Sequence, residues 1–528
     1  MSPTDHTDPA VLPDPPEPRL SPLRVMMALF VLVALGGAGY LGLSHAAESR
    51  AARVQAATRN VPWFAPYVDA TLTPTLAFQD PASNPSGDVV LGFVVAGTST
   101  SCTPTWGTYA TLDGAATTMD LDRRVEQVRG QGGNAVVSFG GASNTELAIA
   151  CDRPDELESA YRAVIDRYAP DTIDFDVEGV ALGDTAANVR RARAIKAIQD
   201  DGDLAVWLTI PVTPRGLNPD ALAVVRTMLA ERVDLAGVNI MAMDFGEPAA
   251  GRDMLGAVTS SITSTHRQLT AVYGATVSAD RVWGKLGVTV MIGQNDVDAE
   301  QISVAAAHKI TDLAVAKGLG RVSMWSLNRD APCGATFPVL GTHSNVCSGV
   351  AQKPLEFTKA FDRLRGTARA KPATTTPDVL PEATTTTVDD PAKSPYPIWE
   401  PEQAYREGYK VVWHQAVYIA RWYSQGQTPD AVNVAPGDAP WRLVGPVLRS
   451  DRAPVIPKLP PGTYPEWSPT RVFKAGARVL HHGLPYRAGW YTDGDIPGGA
   501  GEGGTISPWE PLYDIPGEPT DRSGETRR

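Results

Sequence analysis

Four acidic side chains fall within one eight-residue segment, Asp171-Thr172-Ile173-Asp174-Phe175-Asp176-Val177-Glu178. In an extended strand successive side chains point to opposite faces, so Asp174, Asp176 and Glu178 share one face while Ile173, Phe175 and Val177 share the other. Neighbours on the acidic face stand about 6–7 Å apart at their backbones. Burying three like charges in a row costs several kcal/mol unless they share protons or hydrogen bonds, so packing alone does not select them. Such a ladder raises the pKa of its members and can keep one carboxyl protonated near neutral pH, ready to act as a general acid. A surface strand with a solvated acidic face is the alternative. The apolar alternate face favours a core strand whose polar face opens into a cleft.

The elements around this segment predict how it is held. Between Val61 and about Gly366 short β-rich runs alternate with longer helical patterns, as in a parallel sheet with crossover helices. Eight candidate strands begin at Val61, Asp88, Asn134, Asp171, Leu204, Leu235, Lys285 and Arg321, with helical stretches such as those from Glu156 and Asn188 between them. Eight strands in about 300 residues suit a (β/α)8 barrel, in which function collects at the C-terminal strand ends. A doubly wound sheet fits less well, because no Gly-rich phosphate turn follows the first strand. Glu178 would then stand at the end of the fourth strand. Gly140 and Gly141, closing the third, read as a tight turn with positive φ.

Length and charge narrow the class. The 528 residues suit one large barrel with small modules, and the formal net charge of −12 argues against a nucleic-acid partner. Cys102, Cys151, Cys333 and Cys347 match no zinc spacing. Two disulfides are expected, Cys333 with Cys347 across a short loop and Cys102 with Cys151 between adjacent barrel loops; four free thiols are the alternative.

The acidic segment resembles the DGxDxDxE pattern on the fourth barrel strand of glycoside hydrolase family 18, with Thr172 replacing the glycine. The resemblance implies a (β/α)8 fold and cleavage of chitin or related N-acetylglucosamine polymers, without metal or organic cofactor. It implies a substrate-assisted reaction in which the acid protonates the glycosidic oxygen and the substrate's 2-acetamido oxygen attacks the anomeric carbon. Catalytic roles carry over to Glu178 as acid/base, Asp176 orienting the acetamido group, and Asp174 tuning Asp176. Ser138 to Gly141 match the family's SxGG. On the sixth strand Met241 and Asp244 match MxYD, whereas Met243 replaces the tyrosine that would hold the acetamido oxygen. This departure, with MIGQND from Met291, resembles the archaeal-type branch, and Asp244, Gln294 or Tyr67 is expected to supply the missing contact. Trp325, ending the eighth strand, matches the family's floor tryptophan. Asp171, Met241, Asp244, Gln294, Trp325 and Tyr67 are the expected substrate-binding residues. Two rival functions are an endo-β-N-acetylglucosaminidase on other glycans and an inactive chitin-binding lectin or adhesin.

Outside the barrel (61–366) the chain divides further. A tail (1–24) precedes an uncharged apolar run, Val25 to Leu43, long enough to span a bilayer, in a segment taken as 25–45. Ser44-His45-Ala46 offers a cleavage site, so the protein is expected outside the cell, either tethered to the membrane or released near Ala46. Residues 367–394, rich in Thr, Pro, Ala and Asp, read as an extended linker that separates the C-terminal region from the cleft. A repeat then appears at a constant offset of 68 residues: Trp399 and Trp467, Trp422-Tyr423 and Trp490-Tyr491, Trp441 and Trp509. The two units, 395–446 and 464–515, resemble chitin-binding type 3 modules of carbohydrate-binding family 5/12. In them Trp422, Tyr423, Trp490 and Tyr491 are the expected binding residues, with one aromatic of each pair exposed and Trp441 and Trp509 in the core. A monomer acting on an N-acetylglucosamine polysaccharide is expected.

Overall fold

The computed structural model describes residues 62–246, 253–334, 341, 343–364, 388–430, 439–456, 458–498, 507–513 and 516–517. The apolar segment 25–45, its flanking tail and residues 367–387 of the linker lie outside the described residues. Among the described residues no helix is long and apolar enough to cross a membrane.

All eight expected strand regions form one parallel barrel. The first is broken into Trp63–Phe64 and Tyr67–Asp69; then come Val89–Thr98, Ala135–Gly140, Thr172–Asp176, Ala205–Pro211, Leu235–Met241, Leu286–Met291 and Arg321–Trp325. The break closes the ring. Trp63 pairs with Arg321 on the eighth strand, while Tyr67 pairs with Val90 on the second. Pro66 stands in the gap and has no N–H for a ladder. A hairpin that the periodicity does not announce, Ser101–Trp106 with Ala110–Thr111, extends the second strand antiparallel.

The helices begin and end where their chemistry directs. Pro154–Tyr168 has proline in its first turn with Asp155 and Glu156, and Arg167 in its last, all favourable to the helix dipole. Thr185–Asp200 starts under Asp184, whose carboxylate accepts from the Ala187 N–H. Between strands and helices runs one continuous apolar core. Ile173, Phe175 and Val177, the apolar alternates of the acidic strand, are fully buried in it, and Phe175 stacks on Phe139 at 5.1 Å. Both disulfides form as expected, Cys102–Cys151 and Cys333–Cys347.

The repeat is a repeat of structure. Strands Lys410–Trp413, Ala416–Ala420 and Trp441–Pro446 make a three-stranded antiparallel sheet, and Arg478–His481, Leu484–Ala488 and Trp509–Pro511 make its copy. Each copy has a small aromatic core, with Trp399, Tyr405 and Trp441 in one and Phe473, Tyr486 and Trp509 in the other. One expectation needs correction. Trp422, Tyr423, Trp490 and Tyr491 are all exposed, by 39, 63, 49 and 62%. Each pair sits in a bend just before a short strand, so the alternation that would turn one ring inward does not apply.

Beyond the linker, the first module touches the barrel. Asp120 precedes the barrel helix Leu121–Gly130, and its carboxylate receives the Tyr396 hydroxyl and the Lys410 ammonium. Arg123 pairs with Asp451 and lies over the Tyr396 ring at 5.7 Å. Gly445 lies so close that an added Cβ would come within 2.6 Å of the Arg123 carbonyl oxygen. Helices in such a barrel run antiparallel to its strands, so Asp120 lies at the end where the C-terminal strand ends open. The first module is therefore seated on the barrel flank at that end.

Candidate active site

The acidic strand points Asp174 and Asp176 into the barrel, and Glu178 follows two residues beyond its end. The strand is backed closely by the third. Gly140 has φ +100°, and a Cβ there would stand 2.1 Å from the Asp176 carbonyl oxygen, so only glycine fits this turn. The three carboxylates occupy different environments. Asp174 is completely buried. It accepts hydrogen bonds from Tyr67 Oη (2.7 Å), Ser138 Oγ (2.7 Å), Thr209 Oγ1 (2.7 Å) and Arg321 Nη1 (2.6 Å). Asp176 is 5% exposed, and its Oδ1 is buried with no hydrogen-bond partner among the described residues. Glu178 is half-buried.

Burial, then the charges of Glu178 and Asp174, hold the Asp176 carboxyl well above the ordinary range, against the opposing pull of Arg321. Glu178 is pushed up to about 7 by burial and, second, by Asp244. A carboxyl that carries its proton near neutrality is an acid in waiting.

These groups open into a cavity of about 480 Å³. It is lined by Asp176 and Glu178, by Tyr67, Met241, Met243 and Asp244, and by Trp325. The half-buried Trp325 ring stacks against Phe93 at 5.6 Å. Tyr67 touches the cavity, but its hydroxyl is committed to Asp174 and receives Arg321 Nη2. Asp244, at φ +47°, accepts from the Asp296 and Val297 N–H groups through Oδ1. Burial and the Asp296 charge raise its pKa.

Two expected substrate-binding residues stand elsewhere. Asp171 lies before the first residue of the strand, at the opposite end of the barrel from the cavity, where its carbonyl oxygen accepts from Ala205 N–H. Gln294 is 2% exposed and is not a cavity residue. Its amide Nε2 donates to the carbonyls of Asn295, Val297, Asp298 and Glu300, bracing the loop that carries Asp296. Of the three groups expected to replace the family tyrosine, Asp244 alone faces the cavity with a carboxylate oxygen outside its loop contacts. Sequence reasoning missed Arg321, Thr209, Asp296 and Asn345, the last carried into the cavity wall by the Cys333–Cys347 loop. Thr209 had a readable signal, a hydroxyl on an inward alternate position of an otherwise apolar strand.

No family model matches the chain. It is 35% identical over 285 residues to the "Probable bifunctional chitinase/lysozyme" of Escherichia coli K12, covering 51% of this chain and 31% of that protein. It is 33% identical over 289 residues to "Endochitinase 11" of Metarhizium anisopliae, covering 52% and 53%. The chain thus spans about half the length, or less, of these curated relatives. Among solved structures, the catalytic domain of the hyperthermophilic chitinase from Pyrococcus furiosus aligns with TM-score 0.52 and 25% identity, over 59% of this chain and 97% of that one. The α/β barrel built around Asp174, Asp176 and Glu178 has the catalytic fold of the family 18 chitinases.

Proposed function

We propose that this protein is a chitinase that hydrolyses β-1,4-N-acetylglucosamine linkages by substrate-assisted, retaining catalysis. The observation that carries the reading is the contrast inside the ladder. Asp176 lines the cavity and keeps a buried carboxyl oxygen with no partner among the described residues, between the fully partnered Asp174 and a Glu178 still protonated near neutrality. Glu178 protonates the glycosidic oxygen. Asp176 receives the acetamido N–H and stabilises the positive charge that develops as the acetamido oxygen attacks C1. Trp325 supplies the flat apolar floor for the sugar, and Asp244 takes the polar role left open by Met243. That replacement supports placement in the archaeal-type branch.

The two repeats act as chitin-binding modules. Exposed tryptophan and tyrosine rings, presented in the same bend of each copy, suit the apolar face of a pyranose. Two disulfides support export, and the apolar segment 25–45 serves as membrane anchor or cleaved signal.

Incubation of the full chain with chitin oligomers, with products weighed by mass spectrometry and their anomeric form followed by early-time NMR, tests the enzyme. The β-anomer is expected first, and initial α-anomer overturns the route. Glu178→Gln should lose about 10²-fold or more of the rate, because an amide cannot donate the proton. Cleavage of glycoprotein glycans with inert chitin oligomers would favour an endo-β-N-acetylglucosaminidase. Chitin binding without turnover would favour a lectin. For the modules, a chitin pull-down of the full chain with Trp422, Tyr423, Trp490 and Tyr491 all replaced by alanine should fail where the wild type binds. Loss of one pair should weaken binding far less, since two linked weak sites gain avidity.

A further inference from the structure

The best-built feature of the barrel interior is a cation that the proposed chemistry does not use. Arg321, the first residue of the eighth strand, is completely buried. Its guanidinium donates to Asp174 Oδ1 at 2.6 Å, Tyr67 Oη at 2.9 Å and Ser323 Oγ at 2.9 Å. Aromatic rings surround it, with its centre 4.9 Å from Trp63, 5.4 Å from Tyr67 and 5.6 Å from Trp207. Space for the Trp207 ring is kept by Gly237, where a Cβ would come within 2.3 Å of it. A caged, desolvated arginine needs a matched anion.

The hydrogen-bond directions around Asp174 follow from this cage. Tyr67 Oη receives Arg321 Nη2, which turns the tyrosine proton toward Asp174. Thr209 Oγ1 receives Asn239 Nδ2, which turns its proton the same way. Ser138 completes a shell of four donors. A carboxylate accepts all four, whereas a carboxylic acid would have to place its own proton against one of them. The titratable or charged groups facing Asp174 are Tyr67 from the first strand, Arg321 from the eighth and Asp176 on its own strand; the third and fifth strands contribute only hydroxyls.

We propose that Arg321 is a positioning residue that fixes Asp174 as an anion and so confines the working proton of the ladder to Asp176 and Glu178. This rests on the glycosidase reading above and adds to it a group acting from beneath the ladder, without touching substrate. In this arrangement Asp174 never takes the proton that Asp176 carries. As Glu178 gives its proton to the leaving group, the proton on Asp176 can only be exchanged with Glu178 or the substrate.

The test is the pH profile of kcat on short chitin oligomers, measured on the full chain. Removing the guanidinium in Arg321→Gln takes away the cation that lowers the proton affinity of Asp176. The limb set by Asp176 should move to higher pH by about half a unit or more, with kcat down roughly ten-fold and KM changed little. Arg321→Lys keeps the charge but loses the planar fork, so kcat should fall while the limbs stay in place. A merely structural arginine would lower activity in both variants with no movement of the limbs, and that result overturns the proposal. Infrared difference spectra of wild type against Asp174→Asn give a readout that survives misfolding of either arginine variant or failure of the glycosidase reading. Loss of a protonated-carboxyl carbonyl band in the variant would place a proton on Asp174 and overturn the proposal; absence of that loss supports it. A wild type inert toward oligomers would refute the glycosidase reading and leave the infrared result to decide on Arg321.

Discussion

Asp120 and Asp176 are equally hidden from solvent, 3 and 5% exposed, yet they are opposite kinds of buried acid. Asp120 is surrounded by donors from two domains: the Tyr396 hydroxyl, the Lys410 ammonium and, at 3.6 Å, Arg123. Asp176 has two carboxylate neighbours and one unpartnered oxygen. The first arrangement is satisfied at rest and holds two bodies together. The second leaves one oxygen unsatisfied in a residue that lines the cavity. Burial of a charge therefore says little by itself; the completeness of its partners separates structure from chemistry.

Substitutions at the two sites should fail in opposite ways. The heaviest loss is expected from Asp176→Asn, which should cut kcat by roughly 10²-fold or more without lowering the melting temperature, because in the proposed reaction its contact strengthens only in the transition state. A variant that melts early with near-normal turnover would reverse the comparison. Asp120→Ala should do the reverse. It strands Lys410 and Tyr396 in a buried interface, at a cost of about 3–5 kcal/mol by analogy with broken buried pairs. Limited proteolysis should release the first module, while turnover of short oligomers stays within about two-fold, as expected of a change that leaves the cleft untouched.

The two copies of the module give an internal control. In the first, Val412, Val417 and Val444 form a second apolar cluster on the sheet, and Val444 is 3% exposed. Its counterpart in the second copy, Leu512, is 38% exposed, beside an Arg487–Glu510 ion pair. The counterparts of Tyr396 and Lys410 are Tyr464 and Arg478, and here the arginine donates to the tyrosine hydroxyl at 3.4 Å. Gly445→Ala should accordingly destabilise by about 1–3 kcal/mol, through the clash with the Arg123 carbonyl. Arg478→Ala, at the matching position of the second copy, should change stability by no more than about 0.5 kcal/mol. Equal effects in calorimetry would mean that the first module is not seated.

Much of this was legible in the sequence, for identifiable reasons. The acidic strand shows because period-2 alternation converts directly into two faces, and Ile173, Phe175 and Val177 are buried as that period requires. The barrel shows because each β-rich run is followed by a helical one. Arg321 was hidden because one arginine opening a strand reads as a solvated strand end; its partner, Asp174, lies 147 positions away. The seating of the first module was hidden for the same reason, since Asp120 and Tyr396 are separated by 276 positions. Asp171 misled because a motif is contiguous in sequence while a cleft samples only one end of the strand.

The finest distinction concerns stability at the proposed proton donor. Glu178 has its carboxyl raised from 4.5 to about 7, mainly by burial. A group with a raised folded-state pKa contributes fully below its unfolded value and loses that contribution as pH rises through the folded one. The ionised carboxylate therefore penalises the fold increasingly between about 4.5 and 7, and by a constant amount above. Glu178→Gln removes the ionisation and keeps the shape. Its melting temperature should equal that of the wild type at pH 4, rise above it through the intervening range, and level off at a few degrees higher by about pH 8. Asp120→Asn should instead be less stable than the wild type, since it removes the carboxylate that pairs with Lys410. If Glu178→Gln instead melts lower at pH 8, Glu178 belongs with Asp120 among the structural acids, and its assignment as the proton donor falls with it.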